Sequence, residues 1–115
     1  MARAMNIVRY KPKANKKSSV IEAHEKWEKQ SLDGAISLKV VDCGDVCCGL
    51  IEWENEEKMQ SAMPQLVEFL DTIRDDLDEV SPGLGVTDPV SGKLVVDNLT
   101  MAAGIRLVLP YFAFS

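Results

Sequence analysis

Two residues, Gly44 and Asp45, separate two β-forming runs, Ala35 to Cys43 and Val46 to Trp53, and this short connection constrains the chain more than any other feature. A two-residue loop permits only a tight antiparallel hairpin, and glycine at its first position suits a type II′ turn. Such a turn fixes the register. Cys43 lies opposite Val46, Val41 opposite Cys48, Val40 opposite Gly49, Leu38 opposite Ile51 and Ile36 opposite Trp53. Because side chains alternate between faces, one face carries Ile36, Leu38, Val40, Gly49, Ile51 and Trp53. The other carries Ser37, Lys39, Val41, Cys43, Val46, Cys48, Leu50 and Glu52. The first face is almost wholly apolar, and the second still holds Val41, Cys43, Val46, Cys48 and Leu50. Both need cover.

The flanking segments supply cover for one of them. Met5 to Lys11 is rich in β-formers and stops at Pro12, which reads as a first strand. Ser19 and Glu22 have capping-box spacing and open a helix with Val20, Ala23, His24 and Trp27 on one stripe, running to Leu32 with Gly34 as its left-handed stop. After the hairpin, Asn55 is a good N-cap followed by Glu56 and Glu57, where the helix dipole favours negative charge. Met59, Met63, Leu66, Leu70, Ile73, Leu77 and Val80 then recur at helical spacing. Pro64 falls inside that run, so a short helix, a break and a second helix from Pro64 to about Glu79 are expected. Leu84 to Thr87 and Lys93 to Leu99 read as short strands around a turn at Asp88-Pro89-Val90-Ser91-Gly92.

The resulting order, β-α-β-β-α-β with a C-terminal extension, is the α+β ferredoxin-like motif: an antiparallel sheet with both helices on one face. A length of 115 residues allows one domain, expected over 1–98, with 99–115 as an apolar edge strand or subunit-contacting tail. Helices on one side can reach only the Ile36/Leu38/Ile51/Trp53 face. The patch of Val41, Cys43, Val46, Cys48 and Leu50 is then left in water, and the economical cover is a second copy packed sheet to sheet, a homodimer.

Charge narrows the partners. The chain carries a net −5, whereas phosphate binding needs a basic surface, so nucleic acid is not expected. The basic run Lys11, Lys13, Lys16, Lys17 has only Tyr10 as a nearby aromatic and no glycine-rich phosphate loop. Arg3, Asn6 and Arg9 interrupt the N-terminus where a signal peptide is apolar. The apolar run Ala102 to Phe114 contains Arg106 and Pro110 and falls short of the roughly 20 residues of a membrane span. A cytoplasmic protein with no membrane partner is the expectation. Cys47 and Cys48 are adjacent and must point to opposite faces, and Cys43 and Cys48 are only diagonal neighbours, so three free thiols are expected rather than a disulfide or a metal cluster.

The segment Leu50-Ile-Glu-Trp-Glu-Asn-Glu-Glu57, a strand ending in Trp and running into a helix-capping polar cluster, together with the Met63-Pro64 break, resembles the dimeric α+β barrel superfamily and within it the antibiotic-biosynthesis-monooxygenase-like group. The resemblance covers about residues 3–90 and implies a barrel formed by the sheets of two copies. It also implies one of two functions. One is a cofactor-independent monooxygenase-like or isomerase-like enzyme acting on a small aromatic or polyketide-like substrate. The other is a non-catalytic dimeric ligand-binding or stress-response module. By position, Trp53 corresponds to a strand-three Trp that lines the pocket, and Asn6 to a first-strand Asn used there by some members. Haem-degrading members supply a histidine from the second helix, where this chain reads Met59-Gln-Ser-Ala-Met63, so no haem and no other cofactor is expected.

The candidate pocket is therefore Asn6, Tyr10, His24, Trp27 and Trp53, between helices and sheet, with Tyr10 at its rim and a small apolar ligand as occupant. Trp53 serves either as a pocket wall or as a core plug. His24 serves either as a general base in a dry pocket or as a hydrogen-bonded structural histidine, and one histidine alone cannot make a metal site. Gly49, on the same face as Trp53, marks a close approach of either a helix or a ligand.

Overall fold

The computed structural model describes residues 2–27 and 32–97. It shows β1 (Ala4–Pro12), α1 (Lys17–Lys26), β2 (Ala35–Asp42), β3 (Cys47–Trp53), α2 (Glu56–Ser61), α3 (Met63–Ile73), β4 (Leu77–Asp78) and β5 (Thr87–Lys93). The sheet runs β2-β3-β1, with β5 on the other side of β1 along Ala4 to Tyr10 and β4 continuing that side at Lys11 and Pro12. All pairings are antiparallel, and β1 is central. The expected tail, 99–115, lies outside the described residues.

The hairpin forms on the expected turn. Gly44 takes φ +99°, which few residues with a Cβ adopt, and the Cys43 N–H donates to the Val46 carbonyl at 2.9 Å. Val41–Cys48, Val40–Gly49 and Leu38–Ile51 pair as the loop length dictates. The register fails at the far end. An irregularity between Ala35 and Ser37 puts Ala35, not Ile36, opposite Trp53, and Ile36 is turned outward. A bulge inserts one residue without a partner, and nothing in the alternating pattern marks where that happens.

Four further expectations are corrected. The first helix starts at Lys17 behind Lys16, without a side-chain cap. The turn that launches it, closed by Lys16 N–H to the Lys13 carbonyl at 2.9 Å with Asn15 at φ +71°, comes before Ser19 can act as a cap. That helix ends at Lys26 rather than Leu32, because Trp27 turns extended (φ −68°, ψ 131°). Gly34 does adopt φ +89°, but in the turn leading into β2, where Ala35 N–H bonds the Leu32 carbonyl. The last helix stops at Ile73, followed by one 3-10 turn, Arg74–Asp76, and β4, instead of reaching Glu79. Its last turn has no basic residue, and the Asp71, Asp75, Asp76 series opposes the dipole at that end. Finally, the stretch read as a turn, Asp88 to Gly92, lies inside β5. Seven residue pairs with β1 outweigh the local turn tendency, and Pro89 is tolerated because β5 is an edge strand.

Both helical elements after the hairpin form as the break at Pro64 requires. Asn55 Oδ1 accepts from Lys58 N–H at 2.8 Å, and Pro64 sits in the first turn of α3. The break resets the helical phase, however. Met59, Ala62, Leu66, Phe69 and Ile73 are buried, while Met63 and Leu70 are only partly so. All helices pack on one face of the sheet and make two buried clusters. One gathers Ala4, Leu32, Ile51, Trp53, Met59, Ala62 and Leu66. The other gathers Tyr10, Val20, Cys47, Phe69, Ile73 and Leu77.

Candidate functional site

Alternation along β1 sends Ala4, Asn6, Val8 and Tyr10 toward the helices. Asn6 and Tyr10 are the polar members of that row, four residues apart on a strand, so their Cα atoms are about 13 Å from each other. Asn6 Oδ1 accepts the indole N–H of Trp53 at 2.6 Å, which leaves the Asn6 NH2 as the donor group of that amide. Trp53 is fully buried among Ala4, Ile51 and Met59, where it stands behind the pocket wall and orients Asn6.

The second polar centre joins β1 to α1. His24 Nδ1 lies 2.8 Å from the Val20 carbonyl. A carbonyl can only accept, so Nδ1 carries the proton, and Nε2 of the neutral ring is an acceptor. Tyr10 Oη lies 2.8 Å from Nε2 and therefore donates to it. Burial lowers the His24 pKa, opposed in part by the Val20 bond, which keeps the ring neutral at pH 7. Burial also pushes the Tyr10 phenol far above its usual range, with the Cys47 and Cys48 thiols acting in the same direction. The pair is thus neutral with a single proton order.

Gly49 belongs to this centre. A Cβ built on it would meet Tyr10 Oη at 3.2 Å and the ring at 3.5 Å, so the close approach is that of the Tyr10 side chain. Phe69 of α3 sets its ring edge-on to His24, with centroids 4.8 Å apart, and stacks on Trp27 at 4.2 Å. Sequence reading missed Phe69. Its spacing from Leu66 and Ile73 is helical, but the apolar repeat counted from Met59 across the break at Pro64 favoured Leu70.

Between these groups is a small cavity of about 40 Å³, open at its mouth. Asn6, Tyr10 and His24 provide its polar side chains, and Val8, Leu38, Leu66, Phe69 and Leu70 give apolar walls. Such a composition, mostly apolar with few convergent polar groups, is what a small-molecule site needs. Of the predicted set, Asn6, Tyr10, His24 and Trp27 line this cavity and Trp53 stands behind it. Tyr10 is at 1% exposure, on the cavity floor rather than the rim.

Among the described residues no group of three or more His, Cys, Asp or Glu is placed to hold a metal. Cys43, Cys47 and Cys48 are free thiols, with Cys47 buried and Cys43 exposed. No helix among the described residues is long and apolar enough to cross a membrane.

No protein-family profile and no curated protein sequence matches the chain. Solved structures do. A dimeric ferredoxin-like protein from an uncultured marine organism superposes with a TM-score of 0.66 at 10% identity, over 88% of this chain and 95% of its own. A Streptomyces coelicolor monooxygenase, solved in complex with nanaomycin D, gives 0.65 at 13% identity over 87% of this chain and 94% of its own. A Nitrosomonas europaea protein of unknown function gives 0.65 at 15% identity over 89% and 98%. The chain is built on the ferredoxin-like α+β fold that dimeric ferredoxin-like proteins and antibiotic biosynthesis monooxygenases share.

Proposed function

We propose that the protein is a cofactor-independent, monooxygenase-like enzyme acting on a small aromatic substrate in the cavity between helices and sheet. The carrying observation is the neutral Tyr10–His24 pair opening onto an apolar cavity that also holds the Asn6 amide. Trp27 and Phe69 offer aromatic surface at its wall, Asn6 orients a substrate oxygen, and Tyr10 with His24 receives a hydroxyl proton. An electron-rich hydroxyarene can serve as its own reductant: one atom of O2 enters the ring and the other leaves as water. The solved neighbour in complex with nanaomycin D supports a small-molecule ligand for this fold. The test is oxygen uptake with 1-naphthol in air, with EDTA and no added flavin or haem. Catalysed uptake that falls at least tenfold in Tyr10→Phe is expected; uptake equal to the protein-free rate would refute the enzymatic reading.

The non-catalytic reading has its own support. At the Trp53 end the helix–sheet interface is filled by Met59, Ala62 and Leu66, as in a module that binds without reacting. Saturable binding of 1-naphthol without oxygen uptake is its signature.

The assembly belongs to the same proposal. The sheet face away from the helices carries Val41, Cys43, Val46, Cys48 and Leu50, joined by Ile7 and Val90 through their pairings with Leu50 and with each other. Val41 is 47% exposed and Val90 61%, and no described element covers them. A second copy placed face to face would bury on the order of 1,000 Å² or more and close the barrel, with the ion pairs Arg3–Glu52 and Arg9–Asp88 on the same face. Light scattering should give twice the 12.7 kDa chain mass, and Leu50→Glu should give monomer or insoluble protein. A wild type that is monomeric at micromolar concentration removes the barrel. The free thiols support a reducing, cytoplasmic location.

A further inference from the structure

We infer that Tyr10 and His24 set the hydrogen-bond polarity of the cavity, so that at neutral pH it selects hydroxyarenes over their ethers, and that protonation of His24 removes the preference. This rests on the cavity being a ligand site, as proposed above, and goes beyond it in naming what the site discriminates.

Each proton in the chain of contacts is committed. The Val20 carbonyl takes the Nδ1 proton of His24, so Nε2 can only accept. Tyr10 must then donate its single proton to Nε2. What the Tyr10 oxygen has left for the cavity is a lone pair. Gly49 makes room for the phenol itself, since a Cβ there would stand 3.2 Å from that oxygen, and the cavity touches Tyr10 from the other side. A ligand O–H therefore finds an acceptor, and an ether oxygen in the same place finds another lone pair and no donor. In a buried site an unmatched polar contact is costly, because the ligand group has given up water for nothing.

Protonation turns the chain round. With His24 charged, Nε2 also carries hydrogen and donates to Tyr10, whose own hydroxyl proton is then released toward the cavity. The site then offers a donor, which a hydroxyl oxygen and an ether oxygen accept alike. Few charges interfere with this switch. Facing His24 are Tyr10 from β1, the ring of Phe69 from α3, and Leu38 and Val40 from β2. The Cys47 thiol of β3 belongs to the same buried cluster, and on α1 itself Glu25 lies beside the groove that His24 shares with Ile21. Burial places the switch below the ordinary histidine range.

The experiment is equilibrium dialysis of the whole chain with 2-naphthol and with 2-methoxynaphthalene, in the wild type and in His24→Leu. At pH 8 the wild type should bind the naphthol about tenfold or more tightly than the ether. In His24→Leu the Tyr10 proton is free to turn, and the ratio should fall to near one. In the wild type the ratio should also fall as pH drops, in step with the NMR titration of the ring C–H of His24, the single histidine of the chain. Exclusion of the ether by its size alone would survive both changes, and a ratio that survives either one overturns the inference. The pH series on the wild type decides the matter if the variant does not fold. Binding of both naphthalenes with equal affinity at pH 8 refutes the polarity while leaving the pocket intact. Binding of neither removes the pocket itself.

Discussion

Trp53→Ala should leave the protein without a cooperative unfolding transition, or with one shifted to far lower denaturant. Trp53 is fully buried within a cluster of Ala4, Ile51, Met59 and Leu66. Removing so large a ring from a packed core costs about 3–5 kcal/mol. The loss of the indole N–H also leaves Asn6 Oδ1 without its 2.6 Å donor, worth about 1–3 kcal/mol more for a buried acceptor. Against a total of roughly 5–15 kcal/mol for a domain, little remains. Trp53→Phe separates the two contributions, because it keeps most of the packing and loses only the donor. Urea unfolding followed by circular dichroism should rank wild type above Trp53→Phe and both well above Trp53→Ala. A loss below about 1 kcal/mol in Trp53→Ala, small beside the usual cost of core truncation, would mean that the ring is not in the core.

The second large effect is expected at Gly34. Its backbone has φ +89°, and a Cβ there would stand 2.6 Å from Cβ and Cγ of Lys58. Atoms so close to the α2 backbone cannot swing aside, so Gly34→Ala adds steric overlap to backbone strain, about 2–4 kcal/mol together. Gly44 is the internal control. It has φ +99° with nothing within 4 Å, and Gly44→Ala should cost only the strain, about 1–2 kcal/mol. Urea midpoints at unchanged m-value measure both. Equal losses at the two positions would show that Lys58 gives way.

Why some of this was legible in the sequence and some was not follows from the range of the forces involved. The Gly44-Asp45 loop is local, and it transmits register for as long as the ladder is regular, which carries it to Ser37–Glu52 and no farther. Asn55 and Pro64 also act within one helical turn, and both positions turned out as read. The β5 pairing is different. Thr87 to Lys93 contains Asp88, Pro89 and Gly92, all turn formers, and only the long-range partner strand β1 makes it a strand. At the site, His24 and Trp27 were recognisable on the buried stripe of the first helix, and Asn6 through the family resemblance, whereas Tyr10 was expected at the rim. Phe69 was not recognisable, because the break at Ala62 shifts the phase of α3 and only the folded chain reveals the shift. Neither could spacing order the protons, which depends on the Val20 carbonyl lying 2.8 Å from one particular ring nitrogen.

The bulge at Ile36 and the proline in β5 bear on how the sheet's borders meet other strands. An open sheet exposes two rows of unused N–H and C=O groups, which invite fibre-like growth by strand addition. Here β2 forms one such border and β5 the other. On β2 the ladder is interrupted between Ala35 and Ser37, and Lys39 is exposed farther along. On β5, Pro89 has no N–H to offer, and the charges of Asp88 and Lys93 flank it. Both borders are poor templates for another strand. Growth by endless lateral addition is thereby disfavoured, whereas the face-to-face pairing proposed above would close after one partner on a two-fold axis.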